Sequence, residues 1–206
     1  MKKRYLLLLS TILAVGLVGC GSTFKTEESA VYVKKDGTIL GASIESFDEE
    51  VYDTKDFEEF VKKEVQKYNE NVGKTRVKVS KSEVKDGKAS LFLKYESDED
   101  YEEFAGETFF AGTVAEALAE GYTLDMEFYK VEKGKIGETV LFSDIEDSDL
   151  KIVIMEEKIG LCVKGKIQFV SKNVELVDKD TITPDKDKEG NVDVAGLGDY
   201  IVVIYK

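Results

Sequence analysis

Hydrophobic and polar residues alternate along two short stretches in the first half of the chain, and each stretch is interrupted by an Asp–Gly pair. The first pair is Asp36 and Gly37, and the second is Asp86 and Gly87. Alternation with a period of two is typical of a strand with one buried face, and an Asp–Gly pair favours a tight hairpin turn. The pattern therefore predicts two β-hairpins within residues 30–95.

A helical period replaces this alternation after each hairpin. Apolar side chains recur every three or four residues before Gly73, which predicts a helix that begins at an Asp53 or Thr54 cap and ends near that glycine. Ser97 is followed three residues later by Asp100, a capping-box pattern that predicts a second helix. The first half of the chain thus contains two predicted hairpin–helix segments.

The pattern returns to strands after a short third helix, which the capping box of Thr113 and Glu116 predicts. Apolar runs recur from residue 124 onward, and the last of them, residues 200–205, is apolar on both faces, as in a central strand. We therefore predict an α+β fold in which two hairpin–helix segments precede a β-rich antiparallel C-terminal half. One domain of residues 30–206 would contain all of these elements.

The first nineteen residues have the layout of an export signal. Three basic residues at positions 2–4 are followed by an apolar stretch at 5–16, and a small residue, Gly19, precedes Cys20. A transmembrane helix needs about 20 apolar residues, whereas the run that ends at Gly19 has fifteen. The pattern therefore predicts a secretion signal rather than a membrane-spanning anchor.

The stretch LVGC at residues 17–20 resembles the lipobox of bacterial lipoproteins. The resemblance implies cleavage before Cys20 and a diacylglyceryl group on its sulfur, which makes Cys20 the expected lipidation site. Two acyl chains hold a protein at a bilayer far more firmly than one. We therefore expect a signal peptide at 1–19, a lipidated cysteine with a polar tether at 20–29, and a domain anchored at the extracytoplasmic face of the cell membrane.

Composition excludes several classes of chemistry. The chain has no histidine, which excludes Ser-His-Asp and Cys-His catalysis within it and removes the nitrogen donors of the usual zinc sites. Without the three basic residues of the leader, 26 Lys and Arg remain against 42 Asp and Glu, a net charge of −16. This charge argues against nucleic-acid binding and against attachment to anionic lipid through a basic patch.

Two local features are candidates for chemistry. Cys162 lies among apolar residues, which predicts a buried strand thiol rather than a nucleophile, because the chain offers no imidazole partner. Residues 185–193 place carboxylates at alternate positions before Gly190, as a calcium loop does, but Gly196 stands where the closing glutamate belongs. The loop is interpreted either as a calcium site or as a solvated turn. We assign no catalytic residue, no metal ligand and no cofactor.

Residues 31–122 are similar to uncharacterised lipoproteins of anaerobic Gram-positive bacteria in their Val-Tyr-Val strand, Asp-Gly turn, acidic Phe-rich helix and FAGTVAE segment at 110–116. The resemblance supports an envelope location and implies no activity. We therefore expect a lipid-anchored protein that binds or scaffolds an envelope protein or glycan without catalysis. The alternative is a small envelope hydrolase that uses acidic residues, whereas a two-lobed solute receptor needs a longer chain.

Overall fold

The computed structural model describes residues 24–145, 149–186 and 200–206. Of these residues, 46% lie in strands and 21% in helices. The elements up to residue 119 are β1 (Ala30–Val33), β2 (Ile39–Ser46), α1 (Thr54–Asn71), β3 (Val77–Lys85), β4 (Lys88–Tyr95), α2 (Asp98–Ala105), β5 (Phe109–Thr113) and α3 (Val114–Ala119). The later strands are β6 (Glu127–Glu132), β7 (Lys135–Leu141), β8 (Lys151–Met155), β9 (Gly160–Val163), β10 (Ile167–Ser171), β11 (Val174–Asp178), β12 (Thr181–Pro184) and β13 (Ile201–Tyr205).

Two β-sheets pack face to face around the main core. Sheet A has seven strands in the order β11-β12-β9-β1-β2-β4-β3, and sheet B has six in the order β5-β8-β13-β10-β6-β7. Sheet B is antiparallel throughout, whereas sheet A contains one parallel pair, β1 beside β9. Val31 and Leu161 of sheet A and Val153 and Val203 of sheet B are fully buried in one continuous cluster. The architecture is therefore a β-sandwich.

The predicted α+β layout is wrong. The described chain is mostly β with three α-helices, and its second half does not form a separate antiparallel region. Strands β9, β11 and β12 return to sheet A, where β9 pairs in parallel with β1, while β8, β10 and β13 belong to sheet B. Alternating hydrophobicity marks a strand and its buried face, but it carries no information about which distant strand lies beside it.

Several local predictions are confirmed. β1 and β2 form the predicted hairpin, and Gly37 in its turn adopts a φ of 83°. Asp53 is the N-cap of α1, and Thr113 and Glu116 form the predicted capping box of α3. The last strand, β13, is central: it lies between β8 and β10, and all five of its residues are buried. Features that depend on neighbouring residues are therefore well specified by the sequence.

The outer faces of the two sheets are covered to different extents. On sheet B, a second apolar cluster lies on the side of α3, and Phe128, Ile152 and Ile204 are fully buried in it. On sheet A, Leu40 and Phe92 pack against a smaller cluster, here called the Phe24 cluster. Its members are Phe24, Ala30, Tyr32, Ala42 and Cys162.

The residues just before β1 pack against sheet A. Phe24 is only 9% exposed, and its ring centroid lies 6.2 Å from that of Phe92. The Ser29 hydroxyl oxygen accepts a hydrogen bond from the Ile44 backbone nitrogen at 2.9 Å and donates to the Ile44 carbonyl at 3.3 Å. Phe24 and Ser29 of the expected tether therefore pack against the fold.

In the parts of the chain that the structure covers, no helix combines the length and the apolar character that a membrane crossing requires.

Candidate functional site

An open groove of about 430 Å³ lies between α1, β4 and α2 on the inner side of sheet A. Its lining combines an apolar floor with a polar rim. The apolar members are Phe60, Val61, Leu91 and Phe104, and the polar members are Glu64, Lys67, Tyr68, Asn71 and Glu103. The volume falls within the range of about 300–1,000 Å³ that ligand sites occupy.

The sequence of α1 explains why the groove keeps an aromatic side chain at the surface. Val61 and Val65 are buried one turn apart on the helix, and Val65 belongs to the cluster between the sheets. Phe60 precedes Val61 by one position and therefore projects about 100° around the helix axis from it. Its side chain is 62% exposed. The apolar face predicted for this helix thus contains one large residue that the core does not use.

Asn69 fixes α1 to the start of β3. Its side-chain oxygen accepts hydrogen bonds from the backbone nitrogens of Arg76 at 2.7 Å and Val77 at 2.9 Å, and its side-chain nitrogen donates to the Val77 carbonyl at 2.8 Å. The amide thus pairs with Val77 in both directions, as a strand residue would. Sequence reasoning misses Asn69 because a single polar residue in a helix gives no periodic signal.

A row of aromatic rings connects the groove to the core between the sheets. The ring centroids of Tyr68 and Phe104 lie 5.6 Å apart, and those of Phe104 and Tyr95 lie 5.9 Å apart. Tyr101 follows at 4.9 Å from Tyr95, and Phe109 at 4.5 Å from Tyr101. Edge-to-face contacts of this kind stabilise aromatic pairs beyond the area that they bury. The floor of the groove is therefore held in place by the core.

A buried carboxylate joins the walls of the groove. Asp100 is 6% exposed, and its oxygens accept hydrogen bonds from the Tyr68 hydroxyl at 3.1 Å and the Ser97 hydroxyl at 2.9 Å. The Arg76 guanidinium lies 3.6 Å from the same carboxylate. The Tyr68 hydroxyl is also 3.0 Å from a Glu103 oxygen, so the two carboxylates share one donor. Because Tyr68 lies on α1 and Arg76 lies just before β3, Asp100 links its own helix α2 to both.

The tyrosines beside these carboxylates are held in the neutral form. Burial, together with the Glu103 and Asp100 carboxylates, raises the pKa of Tyr68 above its ordinary value. Burial and the neighbouring Glu157 raise the pKa of Tyr101, whose hydroxyl donates to a Glu157 oxygen at 2.5 Å. A carboxylate disfavours a phenolate beside it and accepts from the phenol. Both hydroxyls therefore act as hydrogen-bond donors and not as nucleophiles.

The groove offers apolar contacts and a negative rim rather than a reaction centre. A carboxyl group with a raised pKa does occur nearby: burial, then the charges of Asp98 and Glu120, raise the pKa of Glu102. Glu102 does not belong to the groove lining. Across the described ranges, no group of three or more Cys, Asp or Glu side chains is placed to hold a metal ion. The arrangement is suited to binding an apolar group next to a cation.

The residues singled out from the sequence lie away from the groove. Cys162 is 1% exposed in β9, so the predicted buried strand thiol is confirmed. Cys20, the expected lipidation site, lies outside the described residues, as does most of the candidate calcium loop at 185–193, of which the structure covers Asp185 and Lys186. The structure therefore adds the groove as a candidate site, while the lipidation of Cys20 and the calcium loop at 185–193 stay predictions.

Comparison of the chain with protein-family models, with characterised proteins and with solved structures finds no match.

Proposed function

We propose that this is a lipid-anchored protein of the cell envelope, attached through Cys20, and that its β-sandwich is a non-catalytic binding module whose binding surface is the groove between α1, β4 and α2. The observation that carries the binding role is the exposed Phe60 beside an apolar floor with an acidic rim. The signal peptide at 1–19 and the lipobox at 17–20 support the proposed location.

The chemistry of the groove indicates the kind of partner. Phe60, Leu91 and Phe104 provide apolar contact area, which an aliphatic or aromatic side chain would bury. Glu64 and Glu103 give the rim a negative charge, and Lys67 is ion-paired with Glu64 at 3.8 Å. An apolar segment of another envelope protein that also carries a basic side chain fits this combination.

The alternative, an envelope hydrolase, requires two facing carboxylates of which one has a raised pKa. The two carboxylates of the lining are already engaged, Glu64 by Lys67 and Glu103 by the Tyr68 hydroxyl, and Glu102, whose pKa is raised, is not part of the lining. The binding role is therefore the one that the geometry supports.

The anchor is tested by mass spectrometry of the protein extracted from membranes. We expect an N-terminal Cys20 that carries a diacylglyceryl group, and a Cys20→Ser variant should leave the membrane fraction. An unmodified chain that begins at Met1 would contradict the anchor.

The groove is tested by crosslinking in cells, with a photoreactive side chain in place of Lys67 on the rim. We expect a reproducible adduct that is lost in Phe60→Ala, because this change removes the exposed aromatic contact. Leu118→Ala is the matched control, since Leu118 is also an exposed apolar residue but lies on α3. An adduct that survives Phe60→Ala, or that Leu118→Ala removes equally, would contradict binding in the groove.

A further inference from the structure

The outer face of the β3–β4 hairpin carries five lysines, here called the lysine face. Its members are Lys78, Lys81, Lys85, Lys88 and Lys94. Lys78 lies opposite Lys94, Lys85 opposite Lys88, and Lys81 opposite Phe92. Phe92 packs against the Phe24 cluster, and residues opposite each other in an antiparallel pair share a face. All five lysines are therefore on the side of sheet A that faces away from the core.

A β-bulge brings these lysines to one face. The pairing of β3 with β4 shifts by one residue between Val79 and Lys81, which leaves Ser80 as the extra residue. Successive side chains alternate between faces, so in a regular strand without the bulge Lys78 and Lys81, three residues apart, would point in opposite directions. The bulge directs Lys81 and Lys85 outward with Lys78 and keeps the valines of β3 inward.

The lysine face is positive in a chain that is strongly negative. Two carboxylates accompany it: Glu83 lies 3.0 Å from Lys81, and Glu96 lies 2.8 Å from Lys94. Five lysines against two glutamates leave a net charge of +3 on this face, while the whole chain carries −13. The overall charge therefore conceals a local separation of signs.

Folding explains only part of this arrangement. Like charges placed directly opposite each other destabilise an antiparallel pair, and Lys85 and Lys88 are opposed in this way. Lysines on an edge strand hinder pairing between sheets, and β3 is an edge strand. Lys88 and Lys94, however, lie on β4, which has a neighbour on each side.

The lysine face lies beside the point where the chain enters the fold. The Phe24 ring is 6.2 Å from the Phe92 ring, and the Lys81 ammonium lies over the same Phe92 ring at 5.8 Å. Cys20 precedes Phe24 by four residues, which span at most about 14 Å of chain. An acyl group on Cys20 therefore holds this part of sheet A close to the bilayer surface.

We propose that the lysine face lies against the membrane and binds anionic phospholipid headgroups, an inference that rests on the lipidation of Cys20. Each lysine held near an anionic bilayer strengthens attachment roughly fivefold, and this attraction decays over about 8 Å at physiological ionic strength. The short connection to Cys20 allows the lysines to come within this distance of the bilayer. Sheet A then faces the bilayer, and the groove on its inner side stays available to a partner.

The test uses the full chain reconstituted into vesicles of phosphatidylcholine alone or of phosphatidylcholine and phosphatidylglycerol in equal parts, both with a nitroxide-labelled headgroup lipid. A fluorophore is attached at Ser90→Cys, whose position faces Glu83 beside the lysines, or at Gln66→Cys on α1. In anionic vesicles we expect quenching of the position-90 label to exceed that of the position-66 label by about twofold, and we expect a clearly smaller excess in neutral vesicles, where only the connection to Cys20 keeps position 90 near the bilayer.

Two matched triple variants each remove three positive charges, one from the lysine face and the other from α1. In anionic vesicles, Lys81→Gln with Lys85→Gln and Lys88→Gln should lower the excess quenching at position 90 to the level seen in neutral vesicles. Lys55→Gln with Lys62→Gln and Lys63→Gln, all on α1, should leave the excess in anionic vesicles as it is in the parent. An excess at position 90 that is the same in anionic and neutral vesicles, or the same loss from both triple variants, overturns the inference.

Flotation of the vesicles separates this inference from the anchor. A chain that floats with both kinds of vesicle but shows the same excess quenching at position 90 in both retains the anchor and loses only the binding of anionic headgroups. A chain that floats with neither lacks the anchor, and the orientation is overturned with it.

Discussion

The two sheets share one core, yet their outer faces are built in opposite ways. The outer face of sheet B is buried under apolar side chains, and residues such as Phe128 and Ile154 are almost wholly enclosed. The outer face of sheet A carries the small Phe24 cluster and, on β3 and β4, a row of lysines. Sheet B is therefore a layer inside the molecule, whereas sheet A has a surface that is free to contact something else.

The two outer faces therefore differ in how much they contribute to the stability of the fold and in how accessible they are to a partner. β8 and β13 are buried by apolar side chains on both faces. Truncating one of their side chains therefore lowers the free energy of unfolding strongly, because contacts are lost and a cavity is left. A polar outer face contributes little to stability, so its composition is set by other requirements. Substitutions on the two faces should therefore differ in size and in kind.

The largest effect is expected on sheet B. Phe128 is fully buried in its outer cluster, so Phe128→Ala should lower the free energy of unfolding by about 3–5 kcal/mol, measured by urea denaturation. Leu118→Ala, at an exposed position of the neighbouring α3, should change it by less than about 0.5 kcal/mol. Similar losses in the two variants would show that this face is not a core.

A smaller loss is expected from the cluster on sheet A. Phe24→Ala removes a buried ring from the start of the folded body, where fewer side chains surround it, and should cost about 2 kcal/mol in the same urea measurement. Phe24→Leu, which keeps most of the apolar contact, should restore more than half of that loss. If Phe24→Ala has the same urea midpoint of unfolding as the parent protein, Phe24 does not belong to the fold.

A pH dependence reports on the core between the sheets. Tyr205 faces that core, and burial raises its pKa to about 12, whereas an unfolded tyrosine ionises near pH 10. Below about pH 10 the phenol is neutral in both states. Between about pH 10 and 12 only the unfolded chain loses the proton, so stability falls as pH rises, by up to about 1.4 kcal/mol per pH unit.

Tyr205→Phe removes this contribution, so the difference between urea midpoints at about pH 9 and about pH 11 should be smaller than in the parent. Tyr52→Phe, at an exposed tyrosine, is the control and should leave that difference as it is in the parent. An unchanged difference in Tyr205→Phe would place the Tyr205 hydroxyl in water.

The smallest effect is a gain on the lysine face. Lys85→Glu places opposite charges across from each other at Lys88, which should raise the free energy of unfolding by about 0.5 kcal/mol at low salt. The gain should disappear at high salt because exposed charges are screened. Lys172→Glu, at an exposed position outside the strands, makes the same change in charge and should give no gain. A loss of stability in Lys85→Glu would contradict repulsion across the hairpin.

The sequence specifies local structure far better than sheet membership. The Asp–Gly turns, the Asp53 cap and the buried last strand follow from residues that are close in the chain. The partners of β9 do not, because its four residues read equally well as a strand of either sheet. The β-bulge at Ser80 is similarly hidden, since a one-residue insertion alters which face a lysine occupies without changing the composition.

The groove was predictable only in part. The helical period includes Phe60 among the apolar positions of α1, but it does not show that Val61 and Val65 become buried while Phe60 stays exposed. Burial of Phe24 is not apparent either, because a single phenylalanine in a polar stretch has no periodic neighbours. Sites formed by contacts between distant elements require the structure.

The parallel pairing of β1 with β9 also has a consequence for folding. Ala30 lies beside Gly160, so the two strands are separated by about 130 residues of chain, and closing such a long loop slows folding. The hairpins of β1 with β2 and of β3 with β4 can form early from nearby residues, but one edge of β1 stays open during synthesis. The first strand of the fold therefore gains its second neighbour only after most of the chain has been made.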